Sequence, residues 1–120
     1  MIAIYTGEEI RTVETGPTSS EVFKAVRHAL DNGFAEPINN NYTSVSKTFT
    51  ALNVCGIVSF VDEDGINKGL PITWRGAEFS LRGPIVFCGM ENHEDGRDFV
   101  GLTDKQLEAI KLVMIDEAHH

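Results

Sequence analysis

The 120-residue chain has only two cysteines, a single tryptophan and no apolar run near the ~20 residues needed to span a bilayer. Cys55 and Cys88 each stand in an apolar, strand-like context, which suits reduced core thiols in a cytoplasm rather than a disulfide framework. A bridge between them would need their strands to be neighbours. The opening residues MIAIYTGEEI have neither a basic start nor a long apolar centre, so no secretory signal is expected. No strand leads into GxGxxG or GxxxxGKS/T, which removes both common phosphate cradles.

Metal-ligand spacing is equally scarce. The two cysteines stand alone, and His28, His93, His119 and His120 are scattered, so zinc is not expected. Setting Gly65 at the sixth position of a calcium loop puts Phe60 first and Pro71 twelfth, where carboxylates are required. The same test on Gly96 puts Leu102 twelfth, and neither loop qualifies. No cofactor is called for, and His119 and His120 resemble the stub of an affinity tag.

Positive charge is also in short supply. Eighteen acidic against ten basic residues give a net charge of −8, so the average surface repels nucleic-acid phosphates and anionic lipid heads. Neither direct nucleic-acid binding nor membrane association is expected. An acidic surface can face a basic groove on another protein, although most acidic domains are acidic for solubility alone.

What the chain does contain is a globular mixture, with 42% hydrophobic and 23% charged residues. A single domain over residues 1–120 follows, since a chain of this length buries roughly two-thirds of its unfolded surface. Residues 2–5 form an opening strand and residues 10–13 a second. Thr18 with Glu21 makes a capping box, and Val22, Val26 and Leu30, with Phe23 beside them, give a helix stripe. That helix should stop at Asn32-Gly33, with Gly33 supplying the left-handed terminal residue. Residues 34–42 form a loop, and residues 43–53, rich in Thr, Val and Phe, a strand.

Residues 57–61 are the firmest strand. They lead to Asp64-Gly65, a hairpin turn signal, and to a returning strand over residues 66–74, restricted to an edge or a bulge by Gly69 and Pro71. Arg75-Gly76 turns the chain, residues 78–82 extend briefly, residues 84–88 are a buried strand, and residues 91–97 a polar loop. Thr103 with Gln106 caps a final helix, stapled by Leu102 onto Leu107, whose stripe is Leu107, Ile110, Val113 and Met114. The fold class is α+β: an antiparallel sheet of about five strands with two amphipathic helices on one face. Exposed sheet edges make a homo-oligomer plausible.

Trp74, Arg75 and Arg82 are the candidate ligand-binding residues, because an aromatic face beside guanidinium forks can hold a planar or anionic ligand. A core tryptophan followed by turn arginines is the plainer account. His93 beside Glu94 is the candidate acid–base pair, yet no nearby Ser or Cys is marked as a nucleophile. No catalytic residue is assigned.

Three blocks, DGINKGLP (residues 64–71), GPIVFCG (83–89) and DFVGLTDKQ (98–106), resemble a small domain-of-unknown-function family carried by phages, plasmids and other mobile elements. Its members show GLP, then an apolar strand ending in VG, then DFVSLTDE. The resemblance spans about residues 54–115, and Thr73 stands where members often carry Asn. It implies a small, phage-encoded cytoplasmic protein acting inside a bacterial host, and the lack of a catalytic motif makes the expected role that of a non-enzymatic accessory protein. Such a protein would bind a host protein to take over host physiology or block a defence system. A protein that binds or sequesters an anionic nucleotide is the alternative, and a small hydrolase using His93 and Glu94 the third.

Overall fold

A computed structural model describes residues 1–38, 47–76 and 79–116. Its strands are β1 (Ile2–Tyr5), β2 (Ile10–Val13), β3 (Ala35–Pro37), β4 (Ile57–Asp62), β5 (Ile72–Arg75), β6 (Ser80–Arg82), β7 (Ile85–His93) and β8 (Gly96–Val100). The helices among the described residues are α1 (Ser19–Ala29), α2 (Lys47–Val54) and α3 (Asp104–Lys111), the last running on into a π-helical segment, Leu112–Asp116.

The main sheet has the order β2-β1-β7-β4-β3, every pair antiparallel, with β8 added to the far half of β7. Strands β5 and β6 form a separate hairpin sheet. The α+β class with an antiparallel sheet therefore holds, although the strands outnumber the expected five.

Side chains alternate across a pleated strand, and here both faces are dry. Ala3, Tyr5, Ile57, Val61, Ile85 and Phe87 point to one face, where they meet Phe49 and Leu52 of α2, Leu81 of β6, and Ile110 and Met114 at the chain end. Ile2, Val58, Phe60, Val86 and Cys88 point to the other, under Val22 and Val26 of α1. The expectation that both amphipathic helices share one face is corrected: α1 covers one side, α2 and α3 the opposite one. A strand buried on both sides, such as residues 85–89, is a continuous apolar run that cannot say how many helices cover it.

Other corrections share a cause, since local composition competes with packing. Residues 47–53 are helical, not extended, because Phe49 and Leu52, three apart, land on one buried helix face. Residues 43–46 and 39–42 lie outside the described residues, as do Glu78, His119 and His120. Within the expected loop 34–42, residues 35–37 pair with β4. The expected polar loop 91–97 is the end of β7, a two-residue turn at Glu94-Asp95 and the start of β8. Cys55 follows α2 and is exposed, whereas Cys88 is buried; both thiols are free.

Asp64-Gly65 does not turn a hairpin. Neither residue adopts a positive φ; Gly69 does, at +68°. Gly69 N–H donates to Ile66 C=O and Leu70 N–H to Gly65 C=O, each at 3.0 Å, which is the Schellman closure of one helical turn. Strand β5 consequently leaves β4 and pairs with β6. The end of α1 is closed in the same way, with Asp31 N–H on His28 C=O and Asn32 N–H on Arg27 C=O. The left-handed residues there are Asp31 and Asn32, not Gly33.

Candidate functional site

Trp74, Arg75 and Arg82 all lie on the β5–β6 hairpin, Trp74 opposite Leu81 and Arg75 opposite Ser80. Trp74 is half-buried and packs edge-on against Phe49, ring centres 5.0 Å apart, and against Phe79 at 5.2 Å. Its ring also lies over Gly76, where a Cβ would stand 2.5 Å from it. The tryptophan is thus part of the core face. Arg75, next on the strand, is exposed. Arg82 donates from Nη1 to the Leu70 carbonyl at 3.0 Å, tying the hairpin to the turn before β5.

Arg82 also lines a cavity of about 80 Å³ together with Glu36, Glu63, Ile66, Ser80 and Leu81. Trp74 and Arg75 do not line it. Small-ligand sites usually enclose roughly 300–1,000 Å³. A notch of this size, with the carboxylates of Glu36, Asp62 and Glu63 in its lining beside one guanidinium, is a poor seat for an anionic nucleotide.

One of those carboxylates, Asp62, is held by two partners. Asp62 ends β4 with its side chain 3% exposed. Its Oδ2 accepts from Lys68 Nζ at 2.6 Å and its Oδ1 from Asp64 N–H at 2.9 Å. Burial alone would push the carboxyl up, but the Lys68 hydrogen bond, the Asp64 N–H and the Lys68 charge together hold it below its ordinary value. Lys68 is raised, chiefly by its hydrogen bond to Asp62, with Asp64 and Asp31 adding favourable charge. Gly33 leaves the room for this clamp, as a Cβ there would sit 2.6 Å from Asp62 Oδ2. The clamp fixes the turn after β4, and no sequence motif announces it.

His93 meets Asp98, not Glu94. Its Nε2 lies 3.0 Å from Asp98 Oδ2 and 3.9 Å from Glu91 Oε2, on one face of the β7–β8 ribbon. Glu91 and Asp98 are direct cross-strand partners, a like-charge pair that the imidazole stands beside. The open concavity at this tip, about 420 Å³, is lined by His93, Asp95, Gly96, Arg97 and Asp98. None of these is a Ser or Cys nucleophile. Burial pushes the Cys88 thiol up to about 12, far from the thiolate that chemistry would need.

Among the described residues, no group of three His, Cys, Asp or Glu side chains is placed to hold a metal ion. No helix among them is long and apolar enough to cross a membrane. The most exposed polar element is the ribbon itself. From Glu91 onward β7 pairs only with β8, and every residue from Glu91 to Asp98 is exposed. No protein-family model, curated protein or solved structure matches the chain.

Proposed function

We propose that the protein is a non-enzymatic binding module whose acidic β7–β8 ribbon engages a basic surface on a partner protein. One observation carries this reading. The ribbon leaves the sheet as two exposed strands bearing Glu91, Glu94, Asp95 and Asp98 against the lone guanidinium of Arg97. Charged groups displayed together on an exposed ribbon favour fast, oriented encounter with the opposite charge. The overall charge of −8 reinforces that steering.

The wider setting rests on the three sequence blocks alone. Their resemblance to a family of phages and plasmids supports an accessory protein acting in a bacterial cytoplasm on a host protein, in takeover or anti-defence. Each block has a structural job here: residues 64–71 hold the Schellman turn, 83–89 the central strand, 98–106 the end of β8 and the cap of α3. The three blocks therefore support a shared scaffold rather than a shared active site.

The test compares capture from bacterial lysate by the wild-type chain and by a variant with Glu91→Gln, Glu94→Gln, Asp95→Asn and Asp98→Asn. A protein held by the wild type, released by salt and lost with the neutral ribbon supports the reading. Identical capture by both chains, or none by either, removes it.

A further inference from the structure

The two faces of the β7–β8 ribbon differ in charge. Successive side chains of a strand point to opposite sides, and residues directly opposite across an antiparallel pair share a side. Met90 and Phe99 are such a pair and lie under α1, where Phe99 stacks on Phe23 with ring centres 5.2 Å apart. The next pair on that side is Asn92 with Arg97. Glu91 with Asp98 is therefore on the other side, together with His93, two residues on from Glu91. The ribbon's cation stands on the α1 side and these two carboxylates on the reverse, while Glu94 and Asp95 form the turn at the tip.

His93 is the one titratable group on the carboxylate side that can carry positive charge. Its Nε2 lies 3.0 Å from Asp98 Oδ2 and 3.9 Å from Glu91 Oε2, and among the described residues no other histidine stands against a carboxylate. Asp95 and Arg97 share the open concavity at the tip with it, and Glu94 is its neighbour in the chain. The helix that packs on the ribbon, α1, meets the reverse side through Phe23. With a neutral imidazole, the Glu91–Asp98 side carries two negative charges; with a protonated one it carries a net single charge. Arg97 keeps its charge at every working pH.

We infer, on the reading that the acidic ribbon engages a basic partner, that His93 makes this engagement pH-dependent: neutral, it leaves Glu91 and Asp98 to the partner's cation, and charged, it occupies them itself.

Histidine is the side chain whose charge changes between about pH 5 and pH 8, so affinity is higher at the alkaline end of that window and falls toward the acid end. The carboxylates keep their charge across the window, because their ordinary range lies near ~4. An imidazolium already in contact with both acids competes with the incoming lysine or arginine and repels it. Ion pairs at exposed positions are individually weak, so the change expected from this one group is about two- to fivefold in the dissociation constant. The device tunes the partner's hold on the ribbon and leaves the sheet beneath it unaltered.

The test is anisotropy of a rhodamine-labelled octalysine peptide titrated with the full chain at low ionic strength, from about pH 8 to about pH 5.5. The wild type should lose about two- to fivefold more affinity over that range than His93→Gln, which keeps every other histidine. At pH 8, His93→Lys should bind more weakly than His93→Gln, and Asn92→Lys, with the same added charge on the reverse side, should lose less. Both positions are exposed, so these variants should fold as the wild type does. A wild-type pH profile retained by His93→Gln overturns the inference, and so do equal losses in the two lysine variants. The variant with all four ribbon acids neutralised separates the two levels: if it binds the peptide as the wild type does at pH 8, the ribbon reading falls and the inference with it. If it binds weakly while His93→Gln keeps the wild-type profile, the inference alone falls.

Discussion

Asp62 shows how one buried carboxylate can organise a turn that composition misassigns. Its charge sits at the end of a wholly buried strand, where an unpaired anion would be costly, and Lys68 and the Asp64 N–H answer it. The folded-state value is depressed, so its contribution is present above the ordinary aspartate range near ~3.9 and is lost as pH falls through the lower folded value. Lys68 behaves oppositely: its contribution is full below the ordinary lysine range and lost as pH rises through the raised folded value. Asp62→Asn should cost about 1–2 kcal/mol at neutral pH, since the partner is partly solvated. In melts followed against pH, the gap between variant and wild type should close below about pH 4. Gly33→Ala should cost a similar ~1–3 kcal/mol by crowding the same carboxylate. Its cost should shrink in an Asp62→Ala background, and additive costs in a double-mutant cycle would show that the two sites do not meet.

Among elements, α3 is tied down by one side chain with two jobs. Gln106 Oε1 accepts from Thr103 N–H at 3.0 Å, completing the capping box with Thr103 Oγ1 on Gln106 N–H. Its Nε2 donates to Cys55 C=O at 3.0 Å, satisfying a carbonyl just past the end of α2. Gln106→Glu keeps the cap acceptor and loses the donor, whereas Gln106→Ala loses both. Chemical denaturation should therefore rank wild type above Glu above Ala, each step costing about 0.5–1.5 kcal/mol. Equal stability of the Glu and Ala variants would mean that the cap contributes nothing.

At the scale of the whole molecule, a central sheet covered on both faces makes local opening a poor route to its interior. Cys88 is fully buried between β1 and β4 with its thiol pushed up to about 12, while Cys55 is exposed. A thiol reagent should label Cys55 at once and Cys88 only at the rate or population of global unfolding. Rapid labelling of both under native conditions would contradict the layered core. Phe87→Ala, removing a fully buried ring from the same strand, should cost about 3–5 kcal/mol and bring Cys88 labelling forward in proportion.

The amino-acid order determined by itself the pieces governed by near neighbours: the strands β1, β2 and β4, the apolar centre of β7, and the helices announced by Thr18 and Thr103. Their caps and periods are local, and local chemistry decides them. It also showed that Trp74, Arg75 and Arg82 were close along the chain, but not that the tryptophan ring would turn into the core while Arg75 turned to solvent. Only the tertiary structure settled which face each helix covers, since a strand apolar on both sides accepts cover from either. Only there did residues 47–53 become helical, because burial of Phe49 and Leu52 outweighs the β preference of their neighbours. The Asp62–Lys68 clamp and the meeting of His93 with Asp98 likewise belong to the folded state. Each depends on groups that folding brings together, and no motif in the sequence records either.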